Sequence, residues 1–339
     1  MAGKNDVSFN QIIADLRNQI YYPIYFLFGD EPYYIDEISD YIETHVLSDQ
    51  EKEFNQTILY GKDTDIATIS GFAKQYPMMA NYQVLIIKEA QELKKNIDDL
   101  IPYILQPLSS TLLVICFKYD RIDRRKALAK AVEKQGVLFE SSRLYDTKVP
   151  GWIEEYVKKL DYSITVKAAY MLTEFLGADL SKIVNEIKKL LIIIPEKTAI
   201  TEDLVEENIG ISKDFNVFEL QKALGNKDVY KANQIIYYFS ANPRENPLAK
   251  IIPILYAFFS KVLLYHSLPD KSRNNVAGTL AINPFFVGDY EVTARNYSIR
   301  KLTEIVEILR HYDLRSKGVD NVSAAEGELL KEMIYKILH

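Results

Sequence analysis

Short apolar runs and amphipathic segments alternate along the first 140 residues of the chain. Five runs are rich in β-branched and aromatic side chains and have the length of single strands: Ile24–Phe28, Gln56–Tyr60, Val84–Ile87, Leu112–Phe117 and Val137–Phe139. After the first run, Ile35, Ile38, Ile42 and Val46 recur at helical spacing and share one face. Strands that alternate with helices predict a parallel sheet covered on both faces.

From about Ser141 the alternation stops and the apolar spacing becomes helical. Three amphipathic segments follow, and Asp179 has the position of a helix N-cap after Gly177. Beyond them a longer helical region is interrupted by loops rich in Pro, Asn and Gly. We therefore predict an α/β domain over 1–140, a small helical domain over 141–210 and an all-α domain over 211–339.

Composition narrows the class of protein. The chain has 339 residues, of which 48% are hydrophobic and 26% charged, as in a water-soluble protein of two or three domains. Because no unbroken apolar run approaches the ~20 residues of a membrane helix, we expect no membrane contact. The single cysteine, Cys116, lies in an apolar run, which is typical of a reducing cytoplasm, and the four scattered histidines predict no metal site.

The junction "FLFGDEPYYIDEI" resembles the start of a phosphate loop but lacks its chemistry. A Walker A loop reads G-x-x-x-x-G-K-[ST], since the lysine neutralises phosphates and the hydroxyl binds Mg²⁺. Counted from Gly29, these three positions hold Tyr34, Ile35 and Asp36. Asp30 has the character of a helix cap that precedes a proline in the first turn. We therefore expect a structural turn with no bound nucleotide.

Other parts of an ATP site are also missing. A Walker B strand ends in adjacent acidic residues that hold Mg²⁺, whereas the strand Val84–Ile87 is followed by Lys88 and Glu89. The sequence therefore predicts no catalytic residue, no cofactor and no metal in this chain.

Several segments in order along the whole chain resemble the delta subunit family of bacterial DNA polymerase III. They include "PIYFLFGDEPYYIDE", "YPMMANYQVLIIKEAQEL", "VPGWIEEYVKKL", "LGADLSKIVNEIKKLLI" and "NVFELQKALGNKD". The resemblance implies a RecA-like AAA+ module with a degenerate phosphate loop, a three-helix lid and an α-helical collar. Leu180 stands where active relatives carry a sensor arginine, and no arginine finger precedes Val137. The family implies a non-catalytic subunit of a polymerase holoenzyme, with ATP and Mg²⁺ on partner subunits.

The resemblance also implies a contact with the sliding clamp. In the family an exposed apolar pair just before a core strand docks on the clamp, and the matching residues are Met78 and Met79, with Pro77 and Phe72 beside them. Methionine is flexible and polarisable, which suits a binding surface. From the residues alone, the alternative is that the pair packs beneath the sheet.

Two groups of basic residues are candidates for contact with DNA or with other subunits. They are Arg121, Arg124 and Arg125 in the first domain, and Arg273, Arg295, Arg300 and Lys301 in the last. Phosphate contacts need only positive charge. A solvated helix start for the first group and local salt bridges for the second are the alternatives.

The expected function is that of a clamp-loader subunit that binds and opens the sliding clamp on primed DNA. Its expected partners are the clamp, the other subunits of a pentameric loader and primed DNA. A nucleotide-dependent NTPase switch is one alternative, and a nucleic-acid scaffold that acts without a clamp is another. The net charge of -6 counts against the scaffold.

Overall fold

The computed structural model describes residues 7–209, 215–320 and 323–339. Its contacts group the chain into two compact units, Met1–Tyr145 with Ala178–Val184, and Asp146–Gly177 with Asn185–His339. The predicted boundary between 210 and 211 lies outside the described residues. The division into three domains therefore stays a prediction.

The first unit contains the predicted parallel sheet. Its strands are β1 (Ile24–Gly29), β2 (Gln56–Tyr60), β3 (Gln83–Lys88), β4 (Thr111–Lys118) and β5 (Val137–Ser141). They pair in parallel in the order β2-β3-β4-β1-β5. All five predicted strands are confirmed. Since the strands run in one direction, the sheet has an amino edge, where strands begin, and a carboxyl edge, where they end.

Helices cover the sheet on both faces. They are α1 (Phe9–Arg17), α2 (Pro32–His45), α3 (Asp49–Asn55), α4 (Ile66–Ala73), α5 (Ile101–Leu105) and α6 (Ala127–Gln135). Ile35, Ile38 and Ile42 of α2 are fully buried against one face of the sheet, and Val46 is partly buried there. The apolar core on the other face includes residues of α4, α5 and α6. Burial of each isoleucine contributes about 1.5–3 kcal/mol.

The cap of α2 differs from the prediction. Glu31, and not Asp30, is the N-cap, because its carboxylate accepts a hydrogen bond from the Tyr33 N–H at 3.2 Å. Asp30 instead forms an ion pair with Arg121. Asp30 and Glu31 are adjacent, and either carboxylate is able to cap a helix. Because Asp30 pairs with Arg121, which is distant in sequence, Glu31 is the cap.

The second unit is largely helical. Its helices, counting α9 whose first residues belong to the first unit, are α7 (Val149–Lys159), α8 (Val166–Leu176), α9 (Leu180–Ile193), α10 (Glu202–Ile209), α11 (Val217–Gly225), α12 (Val229–Ala241), α13 (Leu248–Ser267), α14 (Arg273–Leu280), α15 (Val287–Asn296), α16 (Ile299–Ser316) and α17 (Glu326–Leu338). The three helices predicted after Ser141 are α7, α8 and α9, and Asp179 caps α9 by accepting from the Lys182 N–H. A short parallel pairing of β6 (Ser163–Ile164) with β7 (Ala199–Ile200) was not predicted.

Helix α13 bears on the expectation about apolar length. Within the described ranges, α13 alone is long and apolar enough to cross a membrane, by length and composition. Lys250, Pro253 and Lys261 interrupt its apolar run, so the sequence did not reveal it. Leu255 and Phe259 of α13 lie in the core of the second unit, and the core helix of a soluble protein passes the same test.

Candidate functional site

The predicted methionine pair lies in the loop of residues 74–82, here called the Met loop, between α4 and β3. The Met79 side chain is fully exposed, and Met78 is 63% exposed. Pro77 is partly buried in the same loop, whereas Phe72, in the last turn of α4, packs against the sheet core. The methionine side chains therefore do not pack beneath the sheet, and they lie at its amino edge.

Two buried side chains fix the point where the Met loop leaves α4. The Tyr103 hydroxyl donates to the Ala73 carbonyl at 3.0 Å, and the Gln83 amide donates to the Phe72 carbonyl at 3.2 Å. Both bonds satisfy carbonyl groups that the end of a helix leaves without partners. The loop therefore starts from a defined position.

A third side chain holds the loop at the methionines themselves. The Asn55 amide Nδ2 donates to the Met78 carbonyl at 3.0 Å, and the Met78 N–H donates to Asn55 Oδ1 at 2.6 Å. Asn55 ends α3, directly before β2, and is only 2% exposed. Sequence analysis missed this residue because the contact spans 23 positions and no local pattern reports it.

The backbone at Met79 is in the left-handed region, with φ of 53°. A residue with a Cβ atom pays about 1 kcal/mol for this conformation, which Gly adopts freely. The hydrogen bonds between Asn55 and Met78 lie next to this left-handed residue. They orient the backbone from which the exposed Met79 side chain projects.

Phe54 is a second residue that the sequence did not single out. It precedes Asn55 in α3 and is 68% exposed. It is the one apolar residue of this helix, which reads "DQEKEFN". A large exposed aromatic side chain on a polar helix is a candidate for contact with a partner. Chain continuity through Asn55 places Phe54 beside the residue that holds Met78.

At the opposite edge, the Gly29 turn (Gly29–Glu31) is closed against β5. The Ser141 hydroxyl donates to the Glu31 carbonyl at 2.6 Å, and the Glu31 N–H donates to the Ser141 carbonyl at 3.3 Å. The Glu31 carboxyl is buried, and this burial raises its pKa. The backbone N–H of Glu31 is therefore already used, and a buried acid stands where a phosphate loop presents positive charge.

The first basic group lies at this carboxyl edge, in the loop between β4 and α6. Arg121 pairs with Asp30, Arg124 lies 3.4 Å from Glu140, and Arg125 pairs with Asp123 at 2.9 Å. The guanidinium of Arg125 lowers the pKa of Asp123 to about 2. Because α6 begins only at Ala127, these arginines precede the helix, and acidic neighbours offset their charge.

The arginines of the second basic group are exposed, Lys301 is partly buried, and all four side chains are engaged locally. Arg295 pairs with Glu291 and Arg300 with Glu304, each one turn apart on a helix. Arg273 donates to the Pro284 carbonyl at 2.9 Å, and Lys301 donates to the Lys336 carbonyl at 3.2 Å. Surface pairs of this kind contribute about 0–1 kcal/mol and leave the side chains available to phosphates. A contact of this group with DNA therefore stays a prediction.

In the ranges that the structure covers, no group of three or more His, Cys, Asp or Glu side chains could hold a metal ion.

Comparison with known proteins agrees with this arrangement of a sheet unit and a helical unit. The model of the DNA polymerase III delta subunit matches residues 25–142, and that of its C-terminal domain matches residues 214–331. The DNA polymerase III subunit delta of Bacillus subtilis (strain 168) is 26% identical over 307 residues, which cover 87% of this chain and 88% of that protein.

A solved structure is similar over nearly the whole length. The Bacillus subtilis DNA clamp loader delta protein matches with a TM-score of 0.53 and 25% identity, and the match covers 98% of this chain and 99% of that one. Two family models, a relative and a structure therefore agree along the chain: it belongs to the DNA polymerase III delta subunit family.

Proposed function

We propose that this chain is the subunit of a clamp loader that binds the sliding clamp through Met78 and Met79 and opens it for loading on primed DNA. The exposure of both methionines in the middle of a loop that Asn55 holds carries this proposal. Burial of two methionine side chains in an apolar pocket contributes about 3–6 kcal/mol before the costs of association.

Opening of the clamp requires no chemistry in this chain. A subunit that binds the open interface more tightly than the closed one shifts the equilibrium towards the open form by that difference in affinity. The Met loop acts as such a wedge when the clamp pocket is accessible only with the interface displaced.

Control by nucleotide belongs to the partner subunits in this proposal. The closed Gly29 turn, with its buried Glu31, supports a chain that holds neither ATP nor Mg²⁺ and has no catalytic residue of its own. Titration with a fluorescent ATP analogue should therefore give no saturable signal with the isolated chain. Saturable binding would favour a nucleotide-dependent switch.

The helical second unit provides the contacts with other subunits, in a hetero-oligomer that we propose to be a pentamer. Within it, Arg273, Arg295, Arg300 and Lys301 face DNA phosphates. Each lost phosphate contact lowers the slope of log affinity against log salt by about 0.9 for duplex DNA. Arg300→Ala in the assembled loader should thus reduce the salt dependence of DNA binding, while the isolated chain should bind DNA weakly. Tight, salt-sensitive binding by the isolated chain would favour the scaffold.

The decisive experiment measures binding of the purified chain to the sliding clamp of its own organism, without nucleotide. We expect Met78→Ala/Met79→Ala to weaken binding by about 100-fold, since it removes the apolar anchors. The matched control is Tyr119→Ala/Tyr145→Ala, which removes two exposed side chains of the same unit outside the Met loop. Circular dichroism verifies the fold of each variant. Equal affinity of the methionine variant and the wild type would place the contact elsewhere.

A further inference from the structure

We propose that Asn55 is a positioning residue for the clamp contact and that Phe54 is part of the contacted surface. This inference rests on the proposed function and names residues beyond the methionine pair. The partner surface that fits Phe54, Met78 and Met79 is an apolar pocket of the sliding clamp with room for an aromatic ring beside the two thioethers.

Asn55 has the geometry of a peptide that pairs with one residue of the Met loop. Its amide both donates to and accepts from the Met78 backbone, at 3.0 and 2.6 Å, as a neighbouring strand would. The same Nδ2 donates to the Glu51 carbonyl at 2.9 Å, which ties the amide to the last turn of α3. The side chain therefore joins α3 to the loop, although it is itself buried and unavailable to a partner.

The consequence for binding is preorganisation. Loops of this length sample many conformations unless side chains fix them, and a partner that must order the loop loses affinity. Met79 also has a left-handed backbone, which persists only where the surroundings hold it. Asn55 supplies this support one residue before Met79, so its contribution is expected in affinity as well as in stability.

Phe54 is included in the proposed surface because it lies next to Asn55. It is adjacent to Asn55 in the chain, it is 68% exposed, and aromatic side chains are enriched among the residues that dominate interfaces. No other residue of α3 is apolar. In the proposal, Phe54 extends the contacted surface from the Met loop onto α3.

The test of Asn55 uses Asn55→Asp, which keeps the size of the side chain but replaces the amide donor with a carboxylate oxygen that repels the Met78 and Glu51 carbonyls and so loosens the loop. We expect clamp affinity to fall about tenfold and hydrogen exchange at the Met78 amide to accelerate. In the Met78→Ala/Met79→Ala background the same substitution should change affinity by less than about twofold, because the anchors it positions are gone. Asn55→Ser is the second variant if the first does not fold.

Tyr297→Phe is the control, because it removes a buried hydrogen bond from a tyrosine hydroxyl to the Leu224 carbonyl in the second unit and none in the Met loop. It should lower thermal stability and leave clamp affinity within about twofold of the wild type. Unchanged affinity in Asn55→Asp, or an equal loss in the presence and absence of the methionines, would overturn the positioning role.

Phe54 is tested by Phe54→Ala against Tyr119→Ala, since the two side chains are 68% and 67% exposed. We expect an affinity loss of about tenfold for the first and none for the second. Equal clamp affinities of the two variants would show that Phe54 is not part of the contacted surface. If the wild type binds and the methionine variant does not, the proposed function stands whatever these results; if the wild type does not bind, both proposals fail.

Discussion

A Cβ atom on Gly29 would lie 2.1 Å from the carbonyl oxygen of Ser141. Gly29 ends β1, Ser141 ends β5, and the two residues are paired in the sheet. The backbone at Gly29 has φ of 129°, which a residue with a side chain rarely adopts. The glycine is therefore required by the packing of the turn itself, without any phosphate.

Gly29→Ala should destabilise the first unit by more than about 3 kcal/mol, since it combines a backbone clash with an unfavourable φ. Differential scanning calorimetry of the full chain measures the shift. Gly71→Ala is the control, because Gly71 lies in α4 with nothing within 4 Å of the added atom. That variant should gain about 0.5–1 kcal/mol. Similar melting curves for the two variants would contradict the packing requirement.

The difference in stability between a glycine variant and an alanine variant should not have the same sign at the adjacent positions Met78 and Met79. At Met79, with φ of 53°, we expect the glycine variant to be at least as stable as the alanine variant, because glycine relieves the strain. At Met78, which does not have a positive φ, glycine should be less stable than alanine by about 0.5–1 kcal/mol. Thermal melts of the four variants measure both differences. A lower stability of glycine at both positions would show that Met79 is not strained.

The pH dependence of stability should differ between two helix caps. Burial raises the pKa of Glu31 above its ordinary value, although the Tyr33 N–H lowers it. The folded state therefore holds this proton more tightly than the unfolded state does. Ionisation of Glu31 costs stability as pH rises from about 4.5 through the folded pKa. Glu31→Gln, which keeps the acceptor for Tyr33, should gain stability relative to the wild type from pH 4.5 to pH 8.

Asp65 caps α4 and provides the opposite case. Its bond from the Thr68 N–H lowers its pKa, so its contribution is present above the ordinary pKa and is lost as pH falls through the folded value. Asp65→Asn should therefore differ most from the wild type near neutral pH and least in acid. Melting curves between pH 3 and pH 8 test both caps, and parallel curves for Glu31→Gln and the wild type would contradict its raised pKa.

Cys116 should be inert in the folded chain. Burial raises the pKa of its thiol to about 12, so almost no thiolate exists near neutral pH. We expect no reaction with a chromogenic disulfide reagent at pH 8, and one equivalent of reaction after unfolding in urea. The chain has one cysteine, so the signal reports this residue alone. Rapid labelling of the native chain would show that the sheet opens at β4.

The strands were predictable because their cause is local. Strands β1, β3, β4 and β5 are largely buried apolar runs, as with Val84–Ile87 within β3, whereas the edge strand β2 is only partly buried. The helix cap was predicted one residue early, since the pairing of Asp30 with Arg121 depends on the folded chain. The Met pair came from family resemblance. The bonds from Asn55 that hold it join residues 23 positions apart, and no sequence pattern in either segment indicates them.

The bond between Asn55 and Met78 has a consequence for protein engineering. The Met loop begins after α4, but its conformation depends on a side chain from α3, so residues 74–82 do not form an independent graft. A loop transferred between family members should carry Phe54 and Asn55 with it. The six residues of β3, at 3.3 Å each, place the Met loop, Phe54 and Asn55 roughly 20 Å from the carboxyl edge of the sheet. These residues can therefore be replaced together, to change which partner is bound, without redesign of the Gly29 turn.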